Sequence, residues 1–174
     1  RNLMRLTSRA YLDTPPGVDR IDVESARDMA EAVKRALPAD VAIMVAAVAD
    51  WRPRDVAMEK IKKRGSAPPA ILLTENPDIL AGVAASRQRP RLLVGFAAET
   101  EHVLEHARDK RKRKGADWII ANDVSGPAGQ SVMGGASNTV HFVTGDGVES
   151  LPEMAKDDVG RAIVERIANE LARR

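Results

Sequence analysis

The 174-residue sequence contains no cysteine and very few aromatic side chains. Without cysteine, a disulfide framework, a thiolate metal site and a cysteine nucleophile are excluded. Only 3% of the residues are aromatic although 44% are hydrophobic, so the core must be built from aliphatic side chains. Small aliphatic residues favour helices packed on parallel strands.

Long apolar runs and a strong net charge are also missing. No run approaches the roughly 18 to 20 apolar residues that a membrane-spanning helix needs, and no signal peptide is recognisable. The 27 basic and 25 acidic residues give a net charge of +2, which is too weak to predict nucleic-acid binding. We expect a cytoplasmic α/β protein with no membrane or nucleic-acid partner. Because the chain opens at Arg1, we expect it to be a fragment.

The common phosphate-binding and catalytic motifs are absent as well. There is no GxxxxGK[ST] loop and no GxGxxG fingerprint. The three histidines show no metal-binding spacing with carboxylates, and we interpret His102 and His106, four residues apart on a helix without a third ligand, as surface residues. Serine and histidine form no nucleophile arrangement. Any ligand site must therefore be built by other means.

The hydrophobic pattern alternates between strand and helix signals. Strands are predicted at 18–23, 41–49, 91–97 and 118–121, and a hairpin at 140–143 and 148–151. The run 41–49 is continuously apolar, as expected for a strand covered on both faces. Helices are predicted after a Ser25–Asp28 capping box, from Asn76–Pro77, from Thr100 to Lys114 with Gly115 as its stop, and from about 157.

Polar side chains follow three of the predicted strands. They are Asp50 after the first long strand, Glu99 and Thr100 (just beyond Phe96) after the second, and Asn122 and Asp123 after the third. Ligands of open parallel sheets bind outside the carboxyl ends of the strands. Polar strand ends are also ordinary turn chemistry, but their convergence predicts a ligand site at this edge.

Lysines indicate which ligand this edge binds. Lys60 and Lys62 alternate in extended backbone and share a face, while Lys110 and Lys114 continue the apolar stripe of the third helix. Lysine ammonium groups suit phosphate oxygens, as do the free amides at the start of the helix after Asn76. Two other interpretations stay open, a solvated charge run and lysines that snorkel to solvent. The pattern favours an anion-binding pocket for a polyphosphate.

Five segments in register carry a family resemblance. AAVADWRP, EKIKK, NPDIL, VGFAAET and ARDKRKRKGADWIIAND resemble bacterial phosphopantothenoylcysteine synthetase (phosphopantothenate–cysteine ligase), the C-terminal half of the bifunctional coenzyme A biosynthesis protein. The resemblance implies a three-layer, Rossmann-like (ribokinase-like) α/β fold. Its mostly parallel sheet carries helices on both faces and a C-terminal hairpin. Residues 1–174 would form a single CTP-binding synthetase domain.

The resemblance also implies a reaction and its residues. The family joins 4′-phosphopantothenate to L-cysteine with CTP and Mg²⁺, through an acyl-cytidylate, and releases CMP and pyrophosphate. Lys60 would clamp the triphosphate as the catalytic residue, and Asp50 would lie by the phosphates and help to hold Mg²⁺. The other nucleotide contacts would be Met44, Val45, Ala46, Pro77, Asp78, Ile79, Leu80, Phe96, Lys110 and Lys114.

The sequence departs from this family at its start. The first strand–helix unit, with its Asn-x-Ser-Ser-Gly motif, is not present, and residues 1–16 are atypical. We therefore expect an incomplete domain with little or no ligase activity by itself. The flavin-binding decarboxylase half is also outside the sequence, so FMN is not expected. Family members work as dimers, which makes a homodimer the expected assembly.

The sequence leaves two alternative functions open. In the first, the chain is a non-catalytic nucleotide-binding or dimerisation module. In the second, it binds nucleic acid through the basic run at 108–114. The second alternative lacks the aromatic side chains that usually accompany such runs.

Overall fold

The structure is a computed structural model and describes residues 3–7, 13–55, 70–99, 101–124 and 137–173. The described residues form ten strands and four helices: β1 (Leu3–Thr7), β2 (Val18–Asp22), α1 (Ala26–Ala36), β3 (Val41–Met44), β4 (Trp51–Pro53), β5 (Leu73–Glu75), α2 (Ile79–Ala84), β6 (Leu92–Glu99), α3 (Val103–Lys114), β7 (Trp118–Asp123), β8 (Ser137–Val143), β9 (Val148–Ser150), β10 (Met154–Ala155) and α4 (Lys156–Arg173). None of these helices combines the length and the apolar character that crossing a membrane requires.

The chain divides into two compact units. Unit 1 comprises Arg1–Arg35 and Ala47–Asp78, and unit 2 comprises Ala36–Ala46 and Ile79–Arg174. Each unit has its own sheet structure.

Unit 1 contains two small sheets. In the first, β1 runs parallel to β2, with Leu3 opposite Val18 and Thr7 opposite Asp22. In the second, β4 and β5 pair antiparallel, with Trp51 opposite Glu75. The predicted strand at 18–23 is confirmed by β2, whereas the sequence predicted none of the other three.

Helix α1 begins with the predicted capping box. The Ser25 hydroxyl lies 2.7 Å from Oδ2 of Asp28, and the Asp28 amide donates to Ser25 Oγ at 3.2 Å. The Ser25 amide donates to the same carboxylate at 2.9 Å. These hydrogen bonds, that of the hydroxyl foremost, hold the pKa of Asp28 below its usual range. The prediction of this helix start is confirmed.

The predicted helix start at Asn76–Pro77 is wrong. Helix α2 begins at Ile79, three residues after Asn76. A capping asparagine accepts helix amides through its Oδ1, but Oδ1 of Asn76 accepts from Nη1 of Arg52 at 3.2 Å. Its Nδ2 donates to the carbonyl oxygen of Ala49 at 2.8 Å. Partners far away in the sequence therefore hold the side chain that the sequence assigned to the helix.

Unit 2 is built on one mixed sheet in the order β3–β6–β7–β8, with β9 and β10 both paired to the far side of β8. Strands β3, β6 and β7 are parallel, and β8 is antiparallel to β7. Successive residues point to opposite faces, so Ile120 packs with Ile163 of α4 while Ile119 packs with Ala107 of α3. Helices therefore cover both faces of this sheet, as predicted.

Strand β3 is shorter and more exposed than the sequence indicates. It ends at Met44, although the apolar run continues to Ala49, and Ile43 is 44% exposed. Among the described residues β3 pairs only with β6, so it lies at the edge of the unit 2 sheet. The prediction of burial on both faces is wrong, because hydropathy alone does not distinguish an edge strand from a central one.

The remaining predictions for unit 2 hold closely. The predicted strands at 91–97 and 118–121 are β6 and β7, the hairpin is β8 and β9, and the last helix is α4. Helix α3 ends at Lys114, and Gly115 follows with a φ of 69°, which favours glycine. Thr100, the predicted cap of α3, lies outside the described residues.

Candidate functional site

The parallel strands of unit 2 end at different heights along the sheet. Met44, the last residue of β3, pairs with Gly95, whereas β6 continues to Glu99 and β7 to Asp123. The four residues Phe96–Glu99 therefore extend beyond the last pair between β3 and β6. Val45 and Ala46 follow Met44 without strand structure and are exposed. The carboxyl edge of this sheet is therefore stepped, with β6 and β7 extending past β3.

Gly95 sets how closely α2 approaches this edge. A Cβ on Gly95 would lie 2.8 Å from Cδ2 of Leu80 and 2.8 Å from Cδ1 of Ile119. Real side chains do not tolerate such distances, so the absence of a side chain lets Leu80 pack directly on β6. This contact places the first turn of α2, which contains the predicted site residues Ile79 and Leu80, against β6 on the face covered by α3, whereas the Phe96 side chain lies on the other face.

Lys110 and Phe96 are joined by a direct contact. The Lys110 ammonium donates to the carbonyl oxygen of Phe96 at 2.8 Å. The side chain of Phe96 packs against the core on the α4 face, next to Val94 and Ile120. The two predicted site residues are thus brought together, with one positive charge at the strand segment that extends beyond β3.

Lys114 ends α3 and is half-buried, as Lys110 is. The intervening Lys112 and Arg113 are exposed. This difference matches the predicted helix face, on which Lys110 and Lys114 follow the buried Ala107. Helix α3 starts after the carboxyl end of β6 and runs back along the sheet, so Lys110 lies nearer that end than Lys114.

Asn122 presents an unsatisfied acceptor at the same edge. Its Oδ1 is shielded from solvent and has no hydrogen-bond partner among the residues that the structure describes. Asn122 is opposite Ala98 in β6, and residues paired in this way share a face of the sheet, which places it two positions along from Phe96. A buried acceptor without a donor is costly and often marks a ligand site. The sequence identified Asn122 only as one of several polar strand ends.

Asp50 and Pro77–Asp78 belong to unit 1, where they lie next to a shared hydrogen-bond network. The amide of Asn76 donates to the carbonyl oxygen of Asp50 at 2.7 Å, and the Asn76 side chain holds the carbonyl of Ala49. Asp50, Pro77 and Asp78 are exposed. The network therefore presents these three predicted site residues on the surface of unit 1.

Asp50 is the one residue that the sequence predicted as a Mg²⁺ ligand. Among the described residues no cluster of three or more His, Asp or Glu side chains forms a metal centre. Mg²⁺ is commonly held by one or two carboxylates together with substrate phosphates and water. A single exposed carboxylate at Asp50 fits that mode of binding. Lys60, the predicted catalytic residue, lies outside the described residues.

One cavity of unit 2 contains none of the predicted site residues. It has a volume of about 340 Å³ and is lined by residues that include Trp118, Phe142, Glu149 and Arg166. Trp118 begins β7, so this cavity lies at the amino ends of the strands. Arg166 fills much of its wall, because it stacks 4.6 Å from the Phe142 ring centroid and is held by Glu149.

The chain matches a known protein family over almost its whole length. A family model described as the DNA/pantothenate metabolism flavoprotein C-terminal domain matches residues 3–171. The chain belongs to this family. The resemblance read from the five sequence segments is thereby confirmed.

Several relatives of this DNA/pantothenate metabolism flavoprotein domain are bifunctional proteins. The chain is 41% identical over 169 residues to the coenzyme A biosynthesis bifunctional protein CoaBC of Escherichia coli (strain K12), covering 95% of this chain and 41% of that protein. The CoaBC of Mycobacterium bovis (strain ATCC BAA-935 / AF2122/97) is 44% identical, with 94% and 41% covered. The chain thus spans about two fifths of the length of these relatives.

Solved structures of the family confirm the α/β fold. The crystal structure of the C-terminal domain of CoaBC superposes with a TM-score of 0.79 at 34% identity, covering 99% of this chain and 76% of that one. The DNA/pantothenate metabolism flavoprotein from Streptococcus pneumoniae has a TM-score of 0.75 at 18% identity, covering 97% and 81%. The second likeness supports the fold alone.

Proposed function

We propose that this chain supplies the ligase step that joins 4′-phosphopantothenate to L-cysteine in coenzyme A biosynthesis, with CTP as co-substrate. The observation that carries the proposal is the hydrogen bond between Lys110 and Phe96. The motif resemblance assigned both residues to the nucleotide, and they meet at the carboxyl end of a parallel strand, where α/β sheets bind ligands. The relatives named for coenzyme A biosynthesis provide the pathway.

The proposed reaction has two steps. The carboxylate of 4′-phosphopantothenate attacks the α-phosphorus of CTP, and the bond to the departing pyrophosphate breaks to leave an acyl-cytidylate. The amine of cysteine then attacks the acyl carbon and loses a proton as the amide bond forms. CMP leaves with the electron pair of the broken acyl–oxygen bond. Both steps depend mainly on positioning and on neutralising phosphate charge.

Cationic side chains of this chain would provide that neutralisation. In unit 2, Lys110 supplies positive charge near the extended end of β6, where Phe96 would pack on the nucleoside, and Lys114 would add charge one turn further along α3. The Lys60 ammonium is assigned the clamp on the triphosphate by motif. Fixed positive charge stabilises the transition state because it need not reorganise as the charge shifts.

The remaining proposed contacts are backbone groups and polar side chains. Met44–Ala46, Ile79 and Leu80 in unit 2, and Pro77 and Asp78 in unit 1, are proposed to contact the nucleotide. Asn122 offers its unsatisfied Oδ1 to a donor of the bound ligand. Asp50 would hold Mg²⁺, which would supply further charge neutralisation on the phosphates.

The proposed setting is a cytoplasmic homodimer whose full-length form includes a decarboxylase half. No FMN is expected in this chain. No Asn-x-Ser-Ser-Gly motif occurs in the sequence. We therefore expect the chain to bind the nucleotide but to turn it over slowly. The alternative is a module that binds CTP without any turnover.

Titration calorimetry with MgCTP tests the binding part of the proposal. Binding to the chain is expected to weaken about tenfold in Lys60→Ala and Lys110→Ala, which corresponds to about 1.4 kcal/mol. Lys112→Ala is the matched control, since Lys112 is an exposed lysine on the same helix. Absence of binding to the unmodified chain would contradict the proposal.

A pyrophosphate-release assay with 4′-phosphopantothenate and L-cysteine tests the turnover. We expect slow release by this chain and faster release by a version extended upstream. Binding without release by either version would favour the non-catalytic alternative.

A further inference from the structure

We propose that Asn76 and Arg52 are positioning residues that fix the backbone at Asp50 and at Pro77–Asp78 for nucleotide binding. This inference rests on the proposed function, because Asp50, Pro77 and Asp78 are its nucleotide contacts in unit 1. Neither Asn76 nor Arg52 is among the residues that the motifs assign to the ligand. All contacts that carry the inference lie within unit 1.

Asn76 holds both peptide groups that flank the α-carbon of Asp50. Its side-chain Nδ2 donates to the carbonyl oxygen of Ala49 at 2.8 Å, and its backbone amide donates to the carbonyl oxygen of Asp50 at 2.7 Å. Peptide groups are planar, so fixing the two groups on either side of a residue fixes its φ and ψ. The direction in which the Asp50 carboxylate leaves the backbone is therefore set by Asn76.

Arg52 in turn orients the side chain of Asn76. Its Nη1 donates to Asn76 Oδ1 at 3.2 Å and to the carbonyl oxygen of Glu75. Because an arginine can only donate, the Asn76 oxygen must face Arg52 and the NH₂ group must face Ala49. This arrangement is unfavourable for Arg52 in one respect, because its buried Nε has no hydrogen-bond partner among the described residues.

Asn76 also anchors the second segment, because Pro77 follows it directly. The proline ring fixes φ of Pro77 and restricts the backbone of Asn76. Once Asn76 is held by Ala49 and Asp50, the path of the chain into Asp78 is strongly limited. One side chain thus links the segment that ends in Asp50 to the segment that contains Pro77 and Asp78.

The exposure of these segments indicates a role beyond stability. Asp50, Pro77 and Asp78 are exposed, and Trp51 beside them is 55% exposed. Hydrogen bonds at a protein surface contribute little net stability because water competes for the same groups. A network that instead fixes the direction of exposed polar groups suits the preorganisation of a binding site.

A double-mutant cycle tests whether Asn76 acts through Asp50. The 174-residue chain and its Asn76→Ala, Asp50→Asn and doubly substituted variants are titrated with MgCTP by calorimetry. We expect each single substitution to raise Kd about tenfold, and the double variant to lose clearly less than the sum of the two single losses, because part of the Asn76 effect is exerted through Asp50. A merely structural role for Asn76 would instead give losses that add.

A second pair of variants keeps the test independent of Asn76. Arg52→Lys keeps the charge but loses the planar guanidinium whose Nη1 reaches both Asn76 and the carbonyl oxygen of Glu75, and we expect it to raise Kd severalfold. Arg54→Lys is the matched control. Arg54 lies just beyond β4 and is exposed, and its guanidinium pairs only with the neighbouring Asp55 among the described residues. Melting temperatures of all variants show whether each remains folded.

The outcomes separate this inference from the proposed function. If the unmodified chain does not bind MgCTP, the proposed function fails and the positioning role falls with it. If the chain binds but Asn76→Ala and Arg52→Lys bind as tightly as Arg54→Lys, the inference is wrong and the proposed function stands. Additive losses in the double variant would also overturn the inference.

Discussion

The ammonium of Lys110 on α3 lies 2.8 Å from the carbonyl oxygen of Phe96 on β6. This bond links the helix to the part of β6 that extends past β3. This hydrogen bond holds the ammonium group near the strand end, whereas an unbonded lysine side chain would move freely in the solvent. Its position is the main structural support for the proposal that unit 2 binds a nucleotide.

Removing the Lys110 ammonium should weaken stability as well as binding. Lys110→Met keeps most of the aliphatic stem, so the lost hydrogen bond is expected to cost about 1 kcal/mol of unfolding free energy. Urea denaturation measures this change, with the exposed Lys112→Met as the control. Equal midpoints for the two variants would show that the bond to Phe96 contributes nothing to folding.

A methyl group on Gly95 should destabilise the chain, because the ends of the Leu80 and Ile119 side chains would have to shift. Gly95→Ala places a Cβ 2.8 Å from both Leu80 and Ile119, and such overpacking costs roughly 1 to 3 kcal/mol. Gly82→Ala in α2 has open space around its Cβ and is expected to be neutral or stabilising by about 0.5 to 1 kcal/mol. Both changes are measured by urea denaturation.

The clash at Gly95 can be relieved from the other side. Leu80→Ala removes the Cδ2 atom that the new Cβ would meet. We expect the double variant with Gly95→Ala to be more stable than the sum of the two single changes predicts. Strict additivity would mean that Leu80 is not the limiting contact.

Asn122 should show opposite effects on stability and on ligand binding. Its Oδ1 is buried without a partner among the described residues, so Asn122→Leu removes an unsatisfied acceptor at similar volume. We expect the unfolding free energy to stay constant or to rise by about 1 kcal/mol, while MgCTP binding weakens. A variant that loses stability and keeps its affinity for MgCTP would contradict the assignment of Asn122 to the site.

The capping box of α1 should make stability depend on pH. Bonds from Ser25 lower the pKa of Asp28 in the folded chain, so the unfolded chain binds a proton at higher pH than the folded one. The resulting stabilisation is present above the unfolded pKa and is lost as pH falls through the folded pKa. We therefore expect Ser25→Ala to lower the melting temperature near neutral pH more than in strong acid. A deficit independent of pH would show that Asp28 is not the titrating partner.

The ion pair between Arg166 and Glu149 should fasten α4 to β9. Two guanidinium nitrogens lie 2.5 Å from the carboxylate oxygens, and the guanidinium stacks on Phe142. Arg166→Lys loses the two-pronged geometry, which we expect to cost about 1 kcal/mol in urea denaturation. The control is Arg161→Lys, because Arg161 is exposed and pairs with Asp158 within one helical turn.

The sequence predicted the parts of the fold that local patterns determine. The capping box at Ser25, the glycine stop at Gly115 and the apolar strands β6 and β7 each carry their signal within a few residues. These signals survive because buried strands and helix termini have strong intrinsic preferences. The pairing of Lys110 with the sheet was also foreshadowed by the spacing of Ala107, Lys110 and Lys114.

The features that the sequence missed depend on tertiary partners. Asn76 is a residue type that commonly caps helices. Its side-chain and backbone amides instead donate to the carbonyl oxygens of Ala49 and Asp50, which are far away in the sequence. The edge position of β3 depends on which strands pair, and hydropathy carries no information about pairing. The unsatisfied Oδ1 of Asn122 is likewise invisible until the surrounding side chains are in place.

The antiparallel pairing of β4 with β5 joins two parts of unit 1 that are far apart in the sequence. The amide of Arg54 donates to the carbonyl oxygen of Leu72 at 2.8 Å, and Trp51 pairs with Glu75. Asp50 directly precedes β4 and Asn76 directly follows β5. A substitution that weakens this small sheet should therefore disturb both residues together.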